Sequence, residues 1–105
     1  MSLFQRNIKE YRAVYMSKSI LQDEKKCYVS GAEYNLDLHH VLGGTANRKL
    51  SDKYGLVVWL RHDIHMDLHD RNKQLEIELK QDAQRAFEKL YGHNKWMAIF
   101  RKNYL

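Results

Sequence analysis

The sequence predicts an α+β domain: a β-hairpin that feeds a helix, completed by further helices in its C-terminal part. Three observations point there. Apolar and polar residues alternate over Leu36-Asp37-Leu38-His39, as in a half-buried strand. After a polar stretch comes a β-branched and aromatic run, Leu56-Val57-Val58-Trp59-Leu60. Beyond that run the apolar spacing changes from a strand period to a helical one.

Taken in chain order, residues 4–21 mix charge with apolar side chains. Phe4, Ile8, Tyr11 and Tyr15 would line one helical face, whereas Val14-Tyr15 equally suits an extended arm. Cys27-Tyr28-Val29-Ser30-Gly31 reads as a short strand or a knuckle closed by a turn at Gly31. The first strand lies within Tyr34 to Val41, and Gly43-Gly44 breaks it. Thr45 to Tyr54 reads as a polar, basic loop, and Leu56 to Leu60, bounded by Gly55, as the second strand. His62 to His69 contains no breaker, and as a helix it puts His65 and His69 on one face. Asn72 to Tyr91 is the clearest helix, with Leu75, Leu79, Ala83, Ala86, Phe87 and Leu90 at helical spacing and Gly92 as its stop. Asn94 can cap a last helix carrying Trp96, Met97, Ile99 and Phe100. With no linker or repeat, the expectation is one domain over residues 1–105. Within it, residues 1–26 form an N-terminal extension, 27–70 the hairpin–helix core and 71–105 the helical part.

Composition narrows the function. A chain of 105 residues has room for one small core, and the absence of proline with only 5 glycines argues against a fibrous or disordered protein. The formal net charge of +5 favours an anionic partner, nucleic acid first. A single cysteine, Cys27, excludes an internal disulfide and suits a reducing cytoplasm. No stretch approaches the roughly 20 apolar residues of a membrane helix. The N-terminal MSLFQRNIKEY also lacks the apolar centre of a secretory signal. A cytoplasmic protein that does not engage the membrane is expected.

The chemistry-bearing feature is the pair His39-His40 followed by His65-x-x-x-His69. Histidine is the commonest metal ligand and the usual general base near neutral pH. Adjacent residues of an extended strand point to opposite faces, so His39 and His40 must do different work. One imidazole from the hairpin and two from a helical turn make a three-nitrogen site with positions left open for water or phosphate. A lone histidine is more often structural, and His-x-x-x-His also arises by chance in basic helices. Two groups arriving in this element order favour the metal reading. His62 is a further candidate on the same turn, and His93 reads as surface.

Leu38-His39-His40-Val41, the glycine-rich loop after it and Leu56-Val57-Val58-Trp59-Leu60 before His65 resemble HNH endonucleases of the His-Me finger (ββα-metal) superfamily. The run LHHVLGGTANRKLSDKYGLVVWL is similar to small phage- or prophage-borne HNH-like proteins, and the similarity extends over roughly residues 18–105. The resemblance implies a metal-dependent DNA endonuclease or nickase. In it His40 activates water as general base, while His39, His65 and His69 hold one divalent cation (Mg, Mn, Ni or Zn). Arg48 and Lys49 foremost, with Lys53 and Arg61, would hold the phosphates of DNA. The roles of His39 and His40 can also be exchanged.

Two departures from the family pattern stand out. HNH proteins commonly carry an asparagine just before the second strand, where this chain has Gly55; Asn47 on the same loop is the candidate substitute. Many relatives also build a structural zinc knuckle from two Cys-x-x-Cys pairs. Here Ser30, Arg61 and Ile64 stand where three of those cysteines would be, so no structural zinc is expected. The alternatives are a catalytically weak DNA-binding module that retains the HNH fold, or a small helical interaction protein.

Overall fold

The computed structural model describes residues 19–105. The helix-or-arm expectation for residues 4–21 therefore lies almost wholly outside the described residues. Among those residues the architecture is α+β: one two-stranded antiparallel sheet and four helices. Strand β1 is Leu36–His40, α1 is Thr45–Tyr54, β2 is Val57–Arg61 and α2 is His62–Asp70. Helix α3, Lys73–Tyr91, and α4, His93–Phe100, follow. No described helix is long and apolar enough to cross a membrane.

The strands pair with Leu38 opposite Trp59, His39 opposite Val58 and His40 opposite Val57. A two-stranded sheet is marginal alone, and here helices cover it. Val57, Val58 and Leu60 are buried, as are Val41 and Leu42 just after β1. Of these, Val58, Leu60, Val41 and Leu42 join Leu68 of α2, Leu79, Ala83 and Phe87 of α3, and Trp96 of α4 in one core. Of the α3 residues expected inside, Leu90 is instead 60% exposed, because the last turn of α3 runs past the core.

Two local expectations need correction, and one resolves to the second of its two alternatives. Thr45 to Tyr54 is not a loop but the helix α1. Its apolar Ala46, Leu50 and Tyr54 recur every fourth residue, and Gly55 closes it in the left-handed region at φ 71, donating to the Ser51 carbonyl. Cys27–Gly31 is a knuckle-like turn rather than a strand: Gly31 N–H donates to the Cys27 carbonyl at 2.8 Å, and Gly31 has φ 79. Asn94 does not cap α4, whose N-cap is Gly92. Asn72, by contrast, caps α3, its side chain accepting from Leu75 N–H at 3.0 Å.

The segment after α4 is tied back by polar groups. Buried Gln84 donates to Asn103 Oδ1 at 2.7 Å and accepts from Tyr104 N–H at 2.8 Å. Trp96 Nε1–H donates to the Lys102 carbonyl at 2.8 Å. A buried amide satisfied on both sides costs little and fixes one arrangement.

Candidate metal centre

Strand alternation decides where the histidine pair points. His39 faces α2, its ring 5.1 Å from that of His65 and 5.8 Å from that of His69, centre to centre. His40 faces α1, where its Nε2 lies 2.7 Å from Asp52 Oδ1. Asp37, two residues before His39 and so on the same face, reaches α2 as well. Its Oδ2 accepts from His65 Nδ1–H at 2.9 Å and from His62 Nδ1–H at 2.7 Å.

His39, His65 and His69 offer nitrogens that all lie within 4.8 Å of one another. In a tetrahedral site with bonds of about 2.05 Å such nitrogens sit about 3.3 Å apart, so small ring rotations would close the set. The donor chemistry fits a borderline divalent cation: three imidazoles, one of them backed by a carboxylate. The Asp37 carboxylate accepts from His65 Nδ1–H and so favours the neutral tautomer whose Nε2 can face a metal; that nitrogen lies 3.0 Å from His69 Nε2. Burial first, and then the neighbouring His65, His69 and His40, push His39 down from its ordinary value to about 4. It is therefore neutral, with a lone pair free, throughout the physiological range.

The three imidazoles and His40 line a cavity of about 690 Å³ that also takes Thr45, Arg48, Lys49 and Asp52 from α1. Helix α1 so brings cations and a carboxylate to the hairpin. A smaller cavity of about 280 Å³ shares His39, His40 and His69 and carries Lys73, Glu76 and Lys80 from α3. In it Glu76 is paired with Lys80 at 2.9 Å and with Lys73 at 3.7 Å.

The remaining residues singled out in the sequence lie elsewhere. Asn47, on the exposed first turn of α1, is not among the lining residues. Lys53 also lies outside the lining and holds its Nζ 5.3 Å from the centre of the Tyr54 ring. Arg61 is committed to Asp63 by two bonds, Nε at 2.7 Å and Nη2 at 2.9 Å. His93 bonds Glu88 Oε2 at 2.7 Å on the surface.

Two site residues escaped the sequence reading. Asp37 was visible in principle, since it alternates with His39 on one strand face. Asp52 was not, because its approach to His40 exists only once α1 is helical. Cys27 is 2% exposed, with Ser30 N–H 3.4 Å from its Sγ. Burial pushes its thiol up, but hydrogen bonds from Ser30 and from the Arg61 and Val29 backbone outweigh that and bring it to about 7.

Compared with known proteins, the chain matches no family model, no curated protein and no solved structure.

Proposed function

We propose that the chain is a metal-dependent DNA endonuclease or nickase of the HNH kind, phage- or prophage-borne and working in the bacterial cytoplasm. One observation carries this reading. Three imidazole nitrogens within 4.8 Å of one another share a cavity with a fourth histidine, held by a carboxylate, and with two cations.

The geometry supports a role for each residue in this reading. His40 donates its Nε2 proton to Asp52, which leaves Nδ1 free to take a proton from an attacking water. Asp52 holds the ring in that tautomer. Arg48 and Lys49 hold the backbone phosphates at the cavity wall. His65, fixed by Asp37, completes the ligand set with His39 and His69. A bound divalent cation would supply polarisation of the scissile phosphate and charge stabilisation at the departing 3′ oxygen.

Nicking of supercoiled plasmid tests the reading directly. Relaxed or linear DNA should form with Mg²⁺, Mn²⁺, Ni²⁺ or Zn²⁺ and not with EDTA. Activity that persists in EDTA, or fails with every one of these metals, would overturn it. The second reading, a DNA-gripping module without turnover, draws on Gly55 and on Asn47 standing outside the cavity. It would show as binding without nicking.

A further inference from the structure

Beyond the cavity mouth, two lysines are held over tyrosine rings. Lys53, on the last turn of α1, lies 5.3 Å above the centre of the Tyr54 ring. Lys95, on the first turn of α4, lies 5.6 Å from the same ring and 4.7 Å from that of Tyr91 at the end of α3. The two rings meet edge to face at 5.6 Å, and Tyr54 leans on the fully buried Phe87 at 5.2 Å. Three helix ends thus build an aromatic plate anchored in the core. Attraction to the ring faces confines ammonium groups that would otherwise sweep through solvent.

This plate continues the cationic wall of the cavity. Lys53 follows Lys49 by about one helical turn, and Arg48 and Lys49 line the cavity itself. Elsewhere on the surface, Arg61, Arg71, Lys80 and Arg85 are each neutralised by a carboxylate. Among the described residues Arg48, Lys49, Lys53 and Lys95 form no such pair. From Arg48 to Lys53 the helix rises about 7.5 Å, roughly two base steps of one DNA strand.

The geometry points to a second nucleic-acid contact outside the cleft: a ledge of Lys53 and Lys95 on Tyr54 and Tyr91 that binds backbone phosphates of the strand leaving the cavity. It rests on the reading above only in taking the cavity as the seat of the scissile phosphate. Its contacts are to phosphate, so the ledge lengthens the footprint without reading sequence.

Salt-dependent binding of the full chain to a fluorescein-labelled duplex, in EDTA and followed by anisotropy, tests it. Each phosphate contact contributes about 0.9 to the slope of log affinity against log salt. The double variant Lys53→Gln, Lys95→Gln should lower the slope by about 1.8, so the unsubstituted chain loses about 12-fold more affinity than the variant over a fourfold rise in salt. Lys25→Gln, a lysine held 4.5 Å over Trp59 and outside the row, should leave the slope unchanged. An unchanged slope in the double variant overturns the ledge. So does an equal fall in Lys25→Gln, which marks diffuse charge, or competition by polyglutamate equal to that by DNA, which marks an acidic protein partner. Hydrolysis of bis(p-nitrophenyl) phosphate by the unsubstituted chain with Mn²⁺ examines the cleft alone. No turnover of that diester with a slope that still falls would retire the nuclease reading and keep the ledge.

Discussion

Removing the Asp37 carboxylate should weaken metal binding without touching a ligand. One oxygen, Oδ2, receives both His65 Nδ1–H at 2.9 Å and His62 Nδ1–H at 2.7 Å. Hydrogen bonds from His65 first, and then His62, hold the carboxyl below its usual range. In Asp37→Ala the His65 ring is free to turn, and the tautomer that leaves Nε2 bare is no longer imposed. Loss of such an outer partner typically costs about 10- to 100-fold in metal affinity. The Asp37 side chain is 33% exposed, so water can take up part of its duty, which sets the expectation near 10-fold. Titration calorimetry with Zn²⁺ or Ni²⁺ measures it, with His62→Ala alongside. His62→Ala should bind almost as tightly as the unsubstituted chain, because His65 keeps its acceptor. The reasoning fails if Asp37→Ala binds metal with unchanged affinity while His65→Ala does not, or if His62→Ala loses as much as Asp37→Ala.

Three further outcomes are expected. His40→Ala should slow cleavage by about 10²- to 10⁴-fold while calorimetry shows metal affinity retained; loss of the metal instead would exchange the roles of His39 and His40. Denaturant unfolding of the metal-free chain should show stability full above about pH 6.5 and falling toward pH 4. The folded His39 stays neutral down to about 4 while the unfolded one takes its proton near 6.5, so acid favours the unfolded chain; His39→Gln should flatten that decline. Cys27→Ala should leave elemental analysis at about one metal per chain and cost about 1–3 kcal/mol in stability from the lost packing; a fall from two metals to one would reveal a second site.

The hairpin and the clustering of His39, His65 and His69 were legible because both depend on short-range periodicity. Two-residue alternation marks β1 and sends His39 and His40 to opposite faces, and a four-residue step pairs His65 with His69. Strand ends shifted by a residue or two, since pairing with a partner decides where a ladder stops. Helix α1 was missed because TANRKLSDKY carries few apolar residues, no acidic first turn and no side-chain cap. Its fold is settled from outside, by the Gly55 stop and by Ser51, whose Oγ–H reaches the Leu42 carbonyl at 3.2 Å. Ala46, Leu50 and Tyr54 gave a signal, but a thin one against so much charge. Everything that depended on α1 was hidden with it: the partner of His40, the cavity wall and the reach of Lys53.

The facing of His39 toward α2 and of His40 toward α1 makes the strand's reading frame a chemical variable. A one-residue slip of β1 against β2 would turn every side chain to the opposite face. His40 would then meet His65 and His69, His39 would meet Asp52, and Asp37 would leave its two histidines for the other side. The same letters would spell a different centre. What holds the frame is not the histidines but the neighbours downstream of them: Val41 N–H on the Leu56 carbonyl at 3.0 Å, with Val41 and Leu42 sunk in the core. A deletion in this strand should therefore scramble catalysis and metal affinity together, even where the helices still fold, whereas insertions in the exposed Gly43-Gly44 turn fall beyond that lock and leave the frame intact.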